Sequence, residues 1–589
     1  MFPHASRRFH LRVALLLAVA LAACDDASSG TGSKGFESQA ADTTTSADSS
    51  GWSSGKDAAA DISASWSYDT VSGSDATSGW ADAPFNSGGG GQPTKDDDMG
   101  IGLKPGGAQN IAFFRQKLAG GTVPKPTDMT LSGWLNEHDT VLPAALPDRL
   151  VTLHAQAAVH QDVAGKQDVV VQLGLNSAKS LDTVQAKLGL VVVVDTSGSM
   201  AGDKMAYMLD GLHELVKNVP ANTQLGIVRF SSDATVSAAV TAVSTTTAPA
   251  LHAAIDQLYA DGGTNLHGGL AQGKALCGDI TGAEVKRILL LSDGQPSAGN
   301  TEPGAMVQLA KSAAAAGCSV STVGVGADFA PQLMTAIAEQ GQGTAWFLPD
   351  AASAKTVFVE DLATLLLPVA EKLSLGFELG QGWAVAAIPG FEWVQNGAQV
   401  QILGPKSEPL PGEPTEPDPT PGTDTPAPGT DEQTTLPTLF ASKKNGLVMV
   451  ELAAPAGDTW TLATLLAPGK VKYSYTEKKS KQVAAFEVPL AVPGLVDVPD
   501  GGLQYFGSAA VRRARLLLRD GQALMAACAL YHAGDTAGAT AGLTAALAFH
   551  DAEVVALQPD LAKVDLFQPD LADARKLLAA LAEAVAGQE

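Results

Sequence analysis

Positive charge, cysteine and long apolar runs are scarce in this 589-residue sequence. It holds 38 Lys and Arg against 62 Asp and Glu, a formal net charge of −24. This acidic balance argues against a nucleic-acid-binding protein, which needs clustered Lys and Arg to neutralise phosphates. Four cysteines exclude a disulfide scaffold. No apolar run reaches the 18 residues that mark a transmembrane helix, so the sequence predicts no membrane-spanning helix.

The apolar content is nevertheless high enough for more than one buried core. Hydrophobic residues make up 45% of the chain and charged residues 17%. With domains of about 100–200 residues, a chain of this length is expected to form about two to four of them. The 61 glycines and 33 prolines indicate that linkers occupy a substantial part of the rest.

The N-terminus has the features of a secretory signal. Arginines up to Arg12 precede an unbroken apolar run at residues 13–23, which is too short to span a bilayer as a helix. Residues 21–24, Leu-Ala-Ala-Cys, resemble the bacterial lipobox, in which cleavage leaves the cysteine first and lipids are attached to it. The sequence therefore predicts a lipid anchor at Cys24, with an ordinary signal peptide as the alternative. Such an anchor would place the protein in a bacterial cell envelope, on either the inner or the outer membrane.

Two segments have the composition of linkers. Residues 25–100 are mostly Ser, Thr, Gly, Ala and Asp with almost no Leu, Ile or Val, too little apolar surface to offset the entropy of ordering. They are expected to form a disordered tether with an r.m.s. reach of roughly 50 Å, which would lift the folded part off the membrane. Residues 405–437 are acidic and rich in proline, which favours extended polyproline II over helix or central strand.

The segment between the linkers begins with a short helix and two strands and then changes pattern. A helix is predicted at Ala108–Leu118, and Leu150–Val159 and Asp168–Leu175 alternate apolar and polar residues as half-buried strands do. Leu188–Val194 is a continuous apolar run, as in a parallel strand buried on both faces. Amphipathic helices and further apolar runs alternate from there to about Leu367, a pattern typical of an α/β domain.

The sequence changes character twice more before its end. Strand patterns return in Lys372–Pro405 and in Leu439–Pro493, so the Pro-rich linker is expected to be a long loop within one β domain. From Gly502 onward the chain is rich in Ala, Leu and Arg and predicts helices, the last at Leu571–Ala586. Four arginines on the first of these helices indicate a solvated or salt-bridged face, with a partner site as the alternative. They are Arg512, Arg513, Arg515 and Arg519.

The most informative stretch is LGLVVVVDTSGSMAGDKM, residues 188–205. Its predicted strand ends in Asp195, and Ser197 and Ser199 follow in a tight turn that the small Gly198 permits. Oxygen side chains at i, i+2 and i+4 after a strand can converge on one point. In doubly wound sheets the carboxyl ends of the strands are where ligands bind. Hard oxygen ligands with open positions suit Mg²⁺.

Two further segments complete this pattern. Asp261–Leu266 is a Gly-rich loop with a hydroxyl at Thr264, and Arg287–Gly294 (RILLLSDG) is a second buried strand that leads into Asp293. Together they resemble the von Willebrand factor A family and its metal-ion-dependent adhesion site, whose pattern is Asp-x-Ser-x-Ser, a distant Thr, and Asp-Gly after a later strand. The resemblance covers about residues 187–367. The alternative is an α/β domain in which these residues only cap helices.

The resemblance implies a role for each matching residue. Ser197 and Ser199 would ligate Mg²⁺, or Mn²⁺ in its place, directly, and Thr264 would do so directly or through water. Asp195 and Asp293 would act mostly through water and orient the ligands. One coordination position would stay open for an acidic side chain of a protein partner, because hydroxyl ligands leave the charge of the metal only partly neutralised.

The wider layout resembles bacterial lipoproteins that carry such a domain between flanking regions. The expected fold class is multidomain α/β. A doubly wound, Rossmann-like von Willebrand factor A domain with a mostly parallel sheet would be inserted in a β-sandwich-like region and followed by a C-terminal α-helical domain. The expected parts are a lipoprotein signal peptide (1–24), a disordered tether (25–100), a helical segment and strands (101–186), the von Willebrand factor A domain (187–367), a β-rich domain (368–404 and 438–498), the Pro-rich acidic linker (405–437) and the helical domain (500–589).

Outside this motif the sequence offers little chemistry. None of the ten histidines forms an HExxH or paired zinc pattern, and neither a GxSxG elbow nor a GxxxxGK[ST] loop is present. Cys277 and Cys318 either pair as a disulfide, which an oxidising compartment permits, or remain two buried thiols. A metal-dependent hydrolase is the alternative function, but the surrounding loops add only Asp203 and Glu302, neither with a recognisable general-base role. The chain is therefore expected to be a binding protein and not an enzyme, with a purely structural envelope protein as a third possibility.

Overall fold

The computed structural model describes most of the chain from Ile101 onward. The described ranges are 101–105, 108–109, 111–138, 140, 142–161, 167–179, 187–326, 329–348, 356–360, 368–405, 436–442, 445–453, 469–478, 480–490, 496–497, 503–506, 509–561 and 568–587. The signal peptide, Cys24, the tether, nearly all of the Pro-rich linker and the strand pattern at 459–467 lie outside these ranges, so those predictions stay predictions.

The described elements begin with strands and two helices, continue with alternating strands and helices and then with strands, and end with helices. The strands are β1 (Ile101–Pro105), β2 (Ala108–Gln109), β3 (Thr152–Gln161), β4 (Gln167–Ser177), β5 (Leu188–Asp195), β6 (Gln224–Phe230), β7 (Ala234–Ala242), β8 (Val285–Ser292), β9 (Cys318–Val325), β10 (Ala345–Leu348), β11 (Pro368–Leu379), β12 (Ala384–Ala387), β13 (Phe391–Asn396), β14 (Gln399–Pro405), β15 (Leu436–Ser442), β16 (Gly446–Ala453), β17 (Gly469–Glu477), β18 (Val483–Leu490), β19 (Val496–Asp497) and β20 (Leu503–Phe506). The α-helices are α1 (Ile111–Ala119), α2 (Leu131–Glu137), α3 (Asp203–Asn218), α4 (Ala248–Asp256), α5 (Leu266–Gly278), α6 (Pro303–Ala315), α7 (Pro331–Gln340), α8 (Ala509–His532), α9 (Thr536–Leu561) and α10 (Gln568–Ala586).

The α/β domain is built on a mixed, mostly parallel sheet with the order β2-β10-β9-β8-β5-β6-β7. Neighbouring strands run parallel except for the edge strand β7, which is antiparallel to β6. The central strand β5 is buried at every position. Leu190 and Val192 pack with α3 and α4 on one face, whereas Val191 and Val193 pack with α5, α6 and α7 on the other. Burial on both faces explains the unbroken apolar run and confirms the doubly wound fold.

The strands that precede and follow the α/β domain pair with one another. β1 lies between β4 and β15, and β4 also pairs with β16, all antiparallel. Their apolar side chains share one core, in which Leu153 and Val171 from before the domain meet Leu375 and Val450 from after it. The α/β domain is therefore inserted into a β region, which confirms the insertion expected from the sequence. The Pro-rich linker joins β14 to β15, two strands that both pair with β11.

The first helix begins later than its sequence pattern indicated. Ala108 and Gln109 do not open a helix but pair in parallel with β10, and α1 begins at Ile111. The Glu137 carboxylate accepts a hydrogen bond from the Ile111 amide at 2.8 Å and so caps the new helix end. The sheet of the α/β domain thus gains an edge strand from residues that precede position 187, the expected start of the domain.

The C-terminal region begins with a strand and not with a helix. The helical pattern predicted from Gly502 is wrong at Leu503–Phe506, which pair antiparallel with β3, and α8 begins only at Ala509. Main-chain pairing with an open strand edge outweighs local propensity here, and Tyr and Phe favour strands in any case. The last helix, α10, begins at Gln568, a few residues before its predicted start at Leu571.

Ion pairs join the C-terminal helices to one another, and an ion pair and one buried tryptophan join them to the rest of the protein. The indole of Trp134, which is fully buried, donates a hydrogen bond to the Leu517 carbonyl of α8 at 2.7 Å. All four arginines of the cluster on α8 form ion pairs with carboxylates on other elements. The pairs are Arg512 and Arg515 with Glu553, Arg513 with Asp570 and Arg519 with Glu451. The arginine cluster is therefore a salt-bridged face.

Cys277 and Cys318 are joined by a disulfide in the structure. Cys277 lies near the end of α5 and Cys318 opens β9. Since β9 runs parallel to β8, the bond lies toward the amino ends of the strands, opposite the carboxyl ends. Cys528 is a buried free cysteine whose pKa burial raises to about 12. Among the described helices, none is both long and apolar enough to cross a membrane.

Two cationic side chains lie near each other where the α/β domain contacts the β region. Arg287 of β8 is 1% exposed, and its guanidinium lies 4.7 Å from the centre of the Phe440 ring on β15. Lys478, which follows β17, is largely buried near it, with its Nζ 3.5 Å from Glu371. Burial, and secondarily the charge of Arg287, lowers the pKa of Lys478 to about 8. The charged lysine is therefore a cost to folding at neutral pH.

We expect Lys478→Met to stabilise the protein at pH 7 by up to about 3 kcal/mol, because a pKa lowered from 10.5 to about 8 costs about 1.4 kcal/mol for each unit. Glu371 keeps an ion pair with Lys481 at 3.2 Å in this variant. Because the folded pKa lies below the unfolded one, the folded state binds fewer protons, and wild-type stability rises with pH between these values. The gain should therefore shrink above pH 8 and vanish near pH 10.5. Unfolding in urea at several pH values measures it, and a gain that does not change with pH would contradict the argument.

Candidate functional site

The predicted metal residues lie at the carboxyl end of the parallel sheet. β5 ends at Asp195, and its neighbour β8 ends at Ser292, immediately before Asp293. Because parallel neighbours end at the same edge, the two carboxylates belong to adjacent strand ends. Both are buried, Asp195 at 0% and Asp293 at 1% exposure. Two buried acids at one sheet edge need positive partners or hydrogen-bond donors.

Asp195 uses both carboxylate oxygens inside the protein. One oxygen accepts the Ser197 amide at 2.8 Å, and the other accepts the Ser292 hydroxyl at 2.5 Å. Burial raises the pKa of Asp195 to about 6, and the hydrogen bonds from Ser292 and Ser197 limit that rise. Asp195 therefore holds the start of the loop in place. This fits an orienting role better than direct ligation.

Ser197 and Ser199 present their hydroxyls to each other. Their Oγ atoms lie 3.0 Å apart, with Ser197 buried and Ser199 exposed. A 3-10 turn at Gly198–Met200 produces this approach, and Gly202, at a φ of +82°, turns the chain into α3. Adjacent ligands of an octahedral Mg²⁺, each about 2.1 Å from the ion, lie about 3 Å apart. The spacing of the two hydroxyls suits one such ion.

The loop that carries Thr264 is tied to the serine loop by main-chain hydrogen bonds. The Gly198 amide donates to the Gly262 carbonyl at 3.1 Å, and the Asp261 amide donates to the Thr196 carbonyl at 2.7 Å. Gly262 adopts a φ of +67°, which a residue with a side chain would resist. Thr264 is 3% exposed. These contacts bring the Thr264 loop against the Ser197–Ser199 loop.

Ser297 fixes the backbone of Thr264. The Thr264 amide donates to the Ser297 hydroxyl at 2.9 Å, and the Ser297 amide donates back to the Thr264 carbonyl at 3.0 Å. The loop after β8 thus supports the loop before α5.

Asp293 has a carboxylate oxygen without a hydrogen bond. Its Oδ2 is buried and accepts none from the described residues, and the ammonium of Lys204 lies 3.6 Å away. From the described residues its Oδ1 accepts only a long 3.5 Å contact, from the Gln295 amide. A buried carboxylate that is so poorly satisfied is costly unless a cation or ordered water completes it.

The donor set fits a hard divalent cation. It consists of hydroxyl and carboxylate oxygens, the ligands that Mg²⁺ and Mn²⁺ prefer. Within the described part of the chain, no three His, Cys, Asp or Glu side chains cluster as metal ligands, so an ion here would depend on the Ser and Thr hydroxyls. The unsatisfied Asp293 oxygen and the 3.0 Å spacing of the serine hydroxyls are the observations that fit. Metal ligation by these five residues stays a prediction.

Three residues near this site escaped the motif-based reading of the sequence. Ser292 donates to Asp195, Ser297 positions Thr264, and Lys204 faces Asp293. Ser292 stands directly before Asp293 in the LLLSDG segment, and that adjacency could have suggested it. The other two act across long sequence separations, which carry no local signal. Asp203 and Glu302, weighed as general bases, are exposed at the starts of α3 and α6.

The sequence matches the family described as von Willebrand factor type A domain over residues 190–360. The uncharacterised protein YfbK of Escherichia coli (strain K12) is 31% identical over 198 residues, which cover 33% of this chain and 34% of that protein. The inter-alpha-trypsin inhibitor heavy chain H4 of Sus scrofa is 28% identical over 162 residues, 26% of this chain and 18% of that protein. The chain thus spans about a third or less of the length of these relatives.

Among solved structures, the protein described as von Willebrand factor type A from Catenulispora acidiphila aligns with a TM-score of 0.42 at 16% identity, covering 73% of this chain and 91% of that chain. The family match lies inside the doubly wound sheet and its helices, between β5 and the segment that follows β10. Residues 190–360 are a von Willebrand factor type A domain.

Proposed function

We propose that this protein binds a protein partner through a divalent cation held at the loops of Asp195, Thr264 and Asp293, with Mg²⁺ as the expected ion. The observation that carries the proposal is the pair of serine hydroxyls 3.0 Å apart beside a buried Asp293 oxygen that lacks a hydrogen bond. Such a set of oxygens has little purpose in a helix cap, because Asn265 and not Thr264 caps α5.

Each residue has a distinct part in this proposal. Ser197 and Ser199 bind the ion through their hydroxyls, and Thr264 binds directly or through water. Asp195 orients the Ser197 amide, and Asp293 supplies negative charge near the ion. The cation supplies an electrophilic position for a carboxylate oxygen. Neutral hydroxyl ligands leave that position attractive to an anion, so the partner contributes an acidic side chain.

The setting we propose for this binding is the bacterial cell envelope. Cys24 carries the lipid anchor, on the inner or the outer membrane, and residues 25–100 form the tether. A net charge of −24 makes nucleic acid an unsuitable partner. None of the five residues proposed to form the site is a histidine or a glutamate, two common general bases, which favours binding over hydrolysis.

Loss of one hydroxyl ligand tests the proposal. We expect Ser199→Ala to weaken Mn²⁺ binding by about 10-fold, because one of the proposed hydroxyl ligands is lost. The fold should persist, since Ser199 is exposed and its hydroxyl contacts only Ser197 among the described residues. Titration calorimetry with Mn²⁺ and Mg²⁺ on the full chain measures the affinity. Ser312→Ala on α6 is the matched control, since this serine is exposed and its hydroxyl accepts a hydrogen bond from Lys274.

The cation affinities of the wild type, Ser199→Ala and the control Ser312→Ala decide between the outcomes. Saturable one-site binding by the wild type and by Ser312→Ala, with weaker binding by Ser199→Ala, supports the metal site. Equal affinities in all three would place the ion elsewhere and contradict the proposal. A chelator should then release poly-L-glutamate, used as a model acidic partner, from the wild type.

A further inference from the structure

Lys204 is the one cation found beside the candidate metal residues in the described chain. It is the second residue of α3, directly after the serine loop, and its side chain is 19% exposed. Its ammonium lies 3.6 Å from Oδ2 of Asp293, the oxygen that accepts no hydrogen bond. A positive charge is therefore built into a site whose donor atoms suit a metal cation.

The fold directs the lysine to this position. Gly326, at the end of β9, has a φ of +77° and lies against the methylene chain of Lys204, where a Cβ would collide with it. Gly202 starts α3 at a φ of +82° and thereby sets the direction of the first helical turn. The backbone at both positions favours glycine. Because Gly326 has no Cβ, it leaves a slot through which the Lys204 side chain reaches Asp293.

The charges explain what the lysine does. Asp195 has hydrogen-bond donors on both oxygens, whereas Asp293 depends on charge for its Oδ2. An ion bound at the serine hydroxyls would be attracted to the negative charge of Asp293. The Lys204 ammonium is attracted to the same charge. Like charges a few ångströms apart in a buried site repel strongly. Each therefore weakens the hold of the other.

We propose that Lys204 is a positioning residue that sets the affinity of the site: it holds Asp293 in place when no ion is bound and competes with the ion for the same carboxylate. This inference rests on the proposed metal-dependent binding. The site would then bind a cation with low affinity. It would be occupied at a high cation concentration, or when a carboxylate of the partner places a further negative charge next to the ion.

Neutral replacement of Lys204 separates this role from a merely structural one. We expect Lys204→Met and Lys204→Gln to bind Mn²⁺ about 10-fold more tightly than the wild type, because one opposing charge is gone. Lys204→Arg, which keeps the charge, should retain wild-type affinity. Lys217→Met is the control, since Lys217 lies on the same helix, is 57% exposed and pairs with Glu214.

Thermal stability gives a second readout on the same proteins. Without metal, Lys204→Met should have a lower Tm than the wild type, because Asp293 is left buried without a cation. With saturating Mn²⁺ the difference in Tm between Lys204→Met and the wild type should become smaller or change sign. A residue that only supported the fold would lower the Tm equally with and without metal and leave the Mn²⁺ affinity unchanged.

The outcomes distinguish the inference from the function on which it rests. If the wild type binds Mn²⁺ and both neutral variants bind it equally or more weakly, the inference is overturned and the metal site stands. If only the neutral variants bind Mn²⁺, the inference is supported in its strongest form. If no protein in the set binds Mn²⁺, the proposed metal site falls and the role of Lys204 with it.

Discussion

Replacing Asp293 with alanine is expected to weaken Mn²⁺ binding by about 100-fold, the upper range for residues that support a metal site. The variant loses the only described carboxylate oxygen at the site that accepts no hydrogen bond, and it leaves the Lys204 ammonium without that charge partner. The site then loses one of its two buried carboxylates, so its attraction for a cation falls. Titration calorimetry on the full chain measures the change.

Two further variants show whether charge is the cause. Asp203→Ala removes an exposed acid only one residue before Lys204, and its affinity should stay within about twofold of the wild type because exposed charges are screened. Asp293→Ala combined with Lys204→Met should recover part of the lost affinity. An Asp293→Ala variant that binds Mn²⁺ like the wild type would remove this residue from the site.

Folding of the Asp293→Ala variant has to be shown independently. The buried acid is paired with Lys204, and its main-chain carbonyl accepts the Ala330 amide at 3.0 Å, a bond that alanine preserves. The circular dichroism spectrum should therefore match that of the wild type. Loss of metal binding with an unchanged spectrum assigns the effect to the site and not to the fold.

The α/β domain could be predicted from the sequence because its signals are local. The run from Leu188 to Val194 is apolar at every position, since helices cover both faces of the central strand. The sheet edge where ligands bind then follows from the direction of the strands. Asp195, Ser197 and Ser199 stand within five positions of one another, so their spacing alone predicts a common focus.

The elements that escaped prediction depend on partners distant in sequence. Ala108 and Gln109 form a strand only because β10, more than 200 positions later, offers an open parallel edge. Leu503–Phe506 pair with β3 in the same way, across more than 300 positions. Neither segment is long enough to carry a period of its own, so local patterning assigned both to helices.

In the candidate site, too, local signals could be predicted and long-range contacts could not. The residues that match the motif could be predicted individually from the sequence, whereas the residues that contact and position them could not. Lys204 reaches Asp293 through a slot that Gly326 leaves open, and Ser292 reaches Asp195 across 97 positions. These contacts arise from the order of strands in the sheet, which places β8 beside β5 and β9 beside β8.

A second large effect is expected in the C-terminal helices, where α8 and α9 share a buried acid and a buried histidine. Asp520 and His550 are each 1% exposed, and Nδ1 of His550 lies 2.8 Å from Oδ2 of Asp520. The other oxygen, Oδ1, is buried without a hydrogen bond among the described residues. His550 is thus the only described side chain that bonds this carboxyl group.

His550→Ala should destabilise the helical region by about 3–5 kcal/mol, because it leaves the buried Asp520 carboxyl group without its hydrogen-bond partner and opens a cavity where the imidazole ring was. Asp520→Asn should cost far less. Burial raises the pKa of Asp520 and so disfavours its charged form, and the neutral amide oxygen still accepts a hydrogen bond from His550. Hydrogen exchange of the α8 and α9 amides measures the free energy of opening for this region.

The neighbouring residue supplies a matched control. Asp551 pairs with Arg575 at 2.6 Å, as closely as Asp520 pairs with His550, but both members are about half exposed. Asp551→Ala should therefore cost at most about 1 kcal/mol, the usual range for surface ion pairs. If His550→Ala and Asp551→Ala had equal effects, the His550 contact would be no more than a surface pair. A large loss in His550→Ala alone would show that the docking of α8 on α9 depends on this buried hydrogen bond.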